Sequence, residues 1–90
     1  MALVRIPSPL RHLTRKQSVV SASGGTVEEV FAALEKSCPG VREKIIDETG
    51  QVRRFINVTL NGEDIKLKDG VKTPVSENDE LRVVPAIAGG

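Results

Sequence analysis

Leu81-Arg82-Val83-Val84-Pro85-Ala86-Ile87-Ala88-Gly89-Gly90 holds the deciding signals of this 90-residue chain. Residues 81–87 read as a last strand, and two residues without Cβ follow it. At a chain end such residues make a thin, flexible peptide. It can pass through a narrow channel and offer its α-carboxylate to another protein's active site. Glycine in both of the last two places arises by chance in roughly one chain in 200, so a merely frayed end is the weaker reading. Residues 86–90 are therefore expected to project as a short tail from a compact body.

Working outward, a strand needs partners. Ala2-Leu3-Val4-Arg5-Ile6-Pro7 reads as a first strand with Val4 and Ile6 on one face and Arg5 on the other. Pro7-Ser8-Pro9 stops it, and a polar, basic connection runs through Lys16. Gln17-Ser18-Val19-Val20-Ser21-Ala22 reads as a second strand, closing a hairpin. Thr26 opens a helix: with Glu29 three residues on it fits a capping box, in which each side chain satisfies a backbone N–H that a helix start leaves unpaired. Val27, Val30, Phe31, Leu34 and Cys38 follow at helical spacing, so one stripe faces a core while Glu28, Glu35 and Lys36 face water. Pro39-Gly40 ends that helix, and residues 41–46 make a further turn or two. Residues 52–60 read as a strand, with Ile56, Val58 and Leu60 alternating with Phe55, Asn57 and Thr59, and Asn61-Gly62 is a tight-turn signal. Residues 64–68 read as a short strand around Ile65 and Leu67, and 69–80 as irregular chain and turn.

The order is β-β-α-β-β-β. Strands at both chain ends commonly lie side by side in the middle of a mixed sheet with the helix across one face. The expected fold class is thus α+β, a β-grasp with about four to five strands and one main helix, and residues 1–90 form one domain.

Composition narrows the function. The formal net charge is +1, and two Phe are the only aromatic residues, with no Trp or Tyr. Neither a basic excess nor a set of stacking rings marks a nucleic-acid binder. No apolar run is long enough to cross a bilayer, and Arg5, Pro7 and Pro9 interrupt anything resembling a secretory leader. The lone Cys38 fits a reducing compartment, so a cytoplasmic location is expected.

A small β-grasp domain ending in Pro-Ala-Ile-Ala-Gly-Gly resembles the ubiquitin-like sulfur carriers of the CysO, MoaD and ThiS branches. The resemblance spans the whole chain and is carried by Ile6-Pro7-Ser8-Pro9-Leu10-Arg11, Ser21-Ala22-Ser23-Gly24-Gly25-Thr26 and Val83 through Gly90. The length, the stretch Arg54-Phe55-Ile56-Asn57-Val58 and the tail look most like the CysO branch, which feeds cysteine synthesis.

That resemblance implies a role as a substrate, not an enzyme. A carboxylate is a poor electrophile and, with a pKa of about 3.3–3.7, stays ionised at neutral pH, so it has to be activated. The Gly90 carboxylate would be adenylated by a separate activating enzyme that uses ATP. Sulfur from a persulfide or sulfide source would then displace AMP to leave a thiocarboxylate. Ile87, Ala88 and Gly89 would thread the tail, glycine being required where a β-carbon would widen it. The thiocarboxylate would deliver sulfur to a serine-derived acceptor on a PLP-dependent cysteine synthase, and a metallopeptidase would release cysteine. The chain itself would bind no cofactor and no metal, and would be a monomer when free. If the ubiquitin-like strand order holds, Arg5, Arg53, Phe55, Asn57, Arg82 and Val84 gather on the sheet face away from the helix as a docking face. Aromatic and Arg residues are frequent interface anchors, and solvated strand residues are the equally weighted alternative.

Other features carry less. Ser23-Gly24-Gly25-Thr26 lacks the spacing and the Lys of a phosphate-binding loop and reads as turn plus cap. Cys38 ends an apolar stripe and reads as a packed thiol. His12 has no ligand partners at metal-site spacing, and Ser8, Ser18 and Ser23 have no nucleophile context. Three rival readings stay open: the small subunit of molybdopterin synthase, a ubiquitin-like modifier forming isopeptide bonds through Gly90, and an interaction domain with an incidental Gly-Gly end.

Overall fold

Alternation of apolar and polar residues lets a strand bury one face only, and the strands of this protein bury theirs in common. The computed structural model describes residues 1–85. It places β1 (Ala2–Arg5), β2 (Val19–Ala22), β3 (Ile56–Leu60), β4 (Glu63–Asp64) and β5 (Glu80–Pro85) in one sheet, in the order β2-β1-β5-β3-β4. β1 and β5 are parallel and lie beside one another at the centre, whereas the other pairs are antiparallel. The register sets Val4 beside Leu81 and Val58 beside Val83, so the buried side chains line up in rows across the sheet. Leu3, Arg5, Arg82 and Val84 point to the opposite, exposed face.

The buried face is covered by α1 (Val27–Ser37), which turns Val27, Val30, Phe31 and Leu34 into the core. Phe31 is fully buried, and burying a side chain of that size stabilises by roughly 2–3 kcal/mol. The Thr26 hydroxyl accepts the Glu29 N–H at 3.2 Å, as the capping box requires. The reciprocal bond lands one residue earlier than the motif specifies: the Glu29 carboxylate accepts the N–H of Gly25 at 3.0 Å. Beyond α1, Gly40 takes φ +96°, a left-handed value that suits glycine. That turn feeds α2 (Val41–Ile45). Glu35 stitches the two helices together by accepting the N–H of Gly40 at 2.9 Å and of Arg42 at 3.0 Å. Cys38 is buried at this corner, as a packed thiol should be.

This is the β-grasp arrangement: a five-stranded mixed sheet with one main helix across it. Three local expectations differ. The connection after β1 is not open loop but a 3-10 turn over Ser8–Leu13 that buries Leu10. It is followed by a fully buried Thr14, whose hydroxyl donates to the Gln17 carbonyl at 2.8 Å. The strand expected over 52–60 begins only at Ile56, because Val52 pairs with Ile46 as an isolated bridge and residues 54–55 turn before the ladder starts. The strand expected over 64–68 is a 3-10 turn at Ile65–Leu67. The Asp64 carboxylate accepts the Lys66 N–H at 2.8 Å and starts the turn there, which buries Ile65 and leaves Leu67 outside. The last two residues of the expected strand 81–87 lie outside the described residues.

Candidate functional site

Because β1 and β5 are parallel and β2 and β3 run against them, β1 and β5 finish at the same end of the sheet at which β2 and β3 begin. Residues 86–90 follow β5 from that end, and Ile87, Ala88, Gly89 and Gly90 lie outside the described residues. β5 reaches Pro85 opposite Ile56. Five further residues extend the chain by at most about 17 Å. β5 is held by both neighbours as far as Arg82, and residues 83–85 are held by β3 alone.

The outward face of the sheet brings some of the expected docking residues together. Arg5 and Arg82 are paired across β1 and β5, Arg82 is flanked by Thr59, and Val84 sits beside Asn57 on β3. Phe55 stands at the start of β3, 54% exposed, in the turn that precedes the strand. Arg53 is drawn elsewhere: its backbone N–H donates to Ile45 and its Nε to the Glu43 carbonyl at 2.6 Å, tying it to α2. The late start of β3 is the cause, since a residue ahead of the ladder does not take up the alternation of the strand.

Two residues that sequence reasoning passed over complete this region. Glu80 pairs with Arg5 at 2.9 Å and with Arg82 at 3.6 Å, so the face is less basic than its arginines alone suggest. The Leu3–Glu80 register puts the carboxylate on the arginine face, a consequence of strand pairing that no local motif announces. Arg11 comes from the 3-10 turn after β1, where its Nε donates to the Ile6 carbonyl at 3.0 Å. Arg5, Arg11 and Arg82 line a groove of about 340 Å³ together with Ile6, Pro7, Ser18 and Val83. The groove opens because β1 stops pairing with β5 after Arg5 while β5 runs on to Pro85.

The shifted carboxyl groups belong to loops away from this region. Asp79 is held below the usual carboxylate range by the Ser76 N–H and the Asn61 amide. Asp47 is lowered chiefly by the Thr49 hydroxyl. Among the described residues, no group of His, Cys, Asp and Glu is placed to hold a metal ion, and no helix is long and apolar enough to cross a membrane. His12 is exposed on the 3-10 turn.

Known proteins share this arrangement. The chain is 38% identical over 89 residues to the sulfur carrier protein CysO of Mycobacterium tuberculosis, covering 97% of this chain and 96% of that protein. It is 34% identical over 65 residues to small archaeal modifier protein 3 of Haloferax volcanii, covering 72% of this chain and 70% of the relative. In three dimensions it superimposes on CysO from the Amycolatopsis orientalis BexX/CysO complex with a TM-score of 0.94 and 36% identity, each chain covered completely. The family description ThiS fits residues 4–90, which include all five strands from the middle of β1 onward, the helix between them and the Gly-Gly tail. The likeness read from residues 6–11, 21–26 and 83–90 therefore extends over sequence and fold together, and the chain belongs to the ThiS family.

Proposed function

We propose that this protein is a sulfur carrier whose Gly90 carboxylate is converted to a thiocarboxylate by partner enzymes, and that the sulfur goes to cysteine synthesis. Nearly full-length similarity to CysO, with a family match that runs through Gly90, is the observation that carries this reading. In the first step a carboxylate oxygen of Gly90 attacks the α-phosphorus of ATP on the activating enzyme, and pyrophosphate leaves. Hydrosulfide then attacks the acyl carbon, AMP departs with the bonding electron pair, and a C–S bond replaces one C–O bond. The product is ionised, soft and nucleophilic, and it keeps sulfide attached to a protein. It attacks the serine-derived acceptor on a PLP-dependent synthase, an S-to-N acyl shift leaves cysteine amide-linked to Gly90, and a metallopeptidase hydrolyses that amide.

This chain contributes three things. Ile87, Ala88 and Gly89 form the thread that carries Gly90 into a narrow site. The arginines and Val84 on the outward sheet face, with Phe55 at its edge, meet the partner. The β-grasp core carries the docking face and, in β5, the strand that leads into that thread. Apart from the attack of its own Gly90 carboxylate on ATP, no acid–base or nucleophilic step falls to a side chain among the described residues, so the protein acts as a substrate.

The test exploits acidity. After incubation with the activating enzyme, ATP and sulfide, the protein is treated with an alkylating dye at about pH 5, where a cysteine thiol of ordinary pKa of about 8.5 is protonated and a thiocarboxylate is ionised. Labelling that requires ATP and disappears when Gly90 is deleted supports the reading; labelling of Cys38 alone opposes it. Similarity to the archaeal modifier favours a second use of the same terminus, an isopeptide bond to lysines of other proteins. Reductant-resistant conjugates that vanish on deletion of Gly90 are its signature.

A further inference from the structure

The net charge of +1 conceals a polarised molecule. At the end where β5 finishes lie residues 6–18, which carry Arg11, Arg15 and Lys16 and no acid; Arg53 and Arg54, just ahead of β3, are offset by Glu43 and Asp47 on the neighbouring α2 segment. At the opposite end lie residues 61–79, where carboxylates outnumber lysines. There too the first turn of α1 sets Glu28 and Glu29, with the Val27 N–H bonded to Thr73. The positive charge is therefore concentrated on the residues 6–18 side of the end of β5, and a charge distribution of this kind steers encounters with an oppositely charged surface.

The groove between the diverging ends of β1 and β5 sits on that side. Its walls contain Arg5, Arg11 and Arg82 and no carboxylate. Glu80, behind it, takes up part of two of these guanidinium groups, and the Ile6 carbonyl takes the Nε of the third. Each guanidinium has five N–H donors, so most remain available. Planar forks of this kind match carboxylates in pairs of parallel hydrogen bonds.

We propose that this groove docks an acidic segment of a partner protein, with Asp or Glu side chains pairing with Arg11, Arg82 and Arg5 while the tail enters that partner. The proposal deepens the docking role given above and rests on it only for the location of the partner. Nucleic acid is disfavoured as the occupant because no aromatic ring lines the groove. A carboxylate-bearing segment at the rim of the partner's channel matches the three guanidinium groups in charge and geometry, and a titration distinguishes it from free phosphate.

The experiment is a titration of the ¹⁵N-labelled full chain at low ionic strength with the peptide acetyl-Glu-Asp-Gly-Glu-Asp-Gly-amide, followed by NMR. The Nε–Hε signals of Arg5, Arg11 and Arg82 and the amides of Ile6, Ser18 and Val83 should move along one saturating curve. Arg82→Gln, which replaces an exposed head group, should weaken binding at least about fivefold, and Lys66→Gln at the other pole should leave it unchanged. Arg11→Gln should act like Arg82→Gln, but it also removes a bond that holds the 3-10 turn, so Arg82→Gln decides. Absence of a saturable shift, or shifts undiminished in Arg82→Gln, overturns the proposal. It is equally overturned if inorganic phosphate or a thymidine dodecamer moves these signals at concentrations where the peptide does not. The titration uses neither ATP nor sulfur, so its outcome is separate from that of the carrier chemistry.

Discussion

Gly24 shows how one residue fixes the junction on which α1 rests. A Cβ added there would lie 2.6 Å from the Val30 nitrogen and 2.8 Å from the Glu29 carbonyl carbon. Both are backbone atoms of a helix, which cannot yield as a side chain tip would. Gly24→Ala is expected to cost about 1–3 kcal/mol as an overpacking change, read as a lowered midpoint in urea unfolding. Gly25 has only the far end of Glu29 within reach, at 3.6 Å, so Gly25→Ala should cost much less. Asp79 supplies a pH signature. Its folded pKa lies below the unfolded value, so its contribution to stability is present above about pH 4 and is lost as pH falls through the folded pKa. Asp79→Ala should flatten that part of the acid limb in a series of thermal melts, whereas a slope identical to wild type would contradict the bonds to Ser76 and Asn61.

Elements were legible where their signals are local. Thr26 and Glu29 announce the start of α1, and Val27, Val30, Phe31 and Leu34 announce its buried stripe, because capping and the 3.6-residue period act within a few residues. Asn61-Gly62 announces the β3–β4 hairpin, and both residues take positive φ, 51° and 90°, as that turn requires. The 3-10 turn over Ser8–Leu13 was not legible. Its proline, serine and basic residues resemble open loop, and only packing beneath the sheet end gives Leu10 and Thr14 a reason to be buried. The turn at Ile65–Leu67 failed for the opposite reason: Ile65 and Leu67 alternate as a strand would, yet the Asp64 cap diverts the backbone before the second apolar residue turns inward. The same blindness hid Arg11, placed by that 3-10 turn, and Glu80, placed beside Arg5 and Arg82 by strand pairing, while the tail glycines stood out without any structure. Thr26→Ala should cost about 1 kcal/mol, and Phe31→Ala about 3–5 kcal/mol, measured by chemical unfolding. Near-equal losses would mean that the cap, not the core stripe, holds α1.

At the scale of the molecule, the sheet divides labour between its two faces and its two ends. One face is filled by α1 and supplies stability. The other carries paired arginines and scattered apolar residues. One end is acidic, and the other is basic on the side of residues 6–18. The core of the described residues is complete without 86–90. Under the proposed role of Gly90, replacing Gly89 or Gly90 with Phe should leave the melting temperature within about 1 °C of wild type while sulfur loading is lost. The site at which sulfur is attached decides whether Gly90 is the carrier terminus. The protein is incubated with activating enzyme, ATP and sulfide, digested, and the C-terminal peptide weighed. Replacement of one oxygen by sulfur within the fragment that contains Gly90, separate from any oxidation of Met1, is the predicted result. An unmodified C-terminal fragment, under conditions in which the same enzyme loads Mycobacterium tuberculosis CysO, would contradict it.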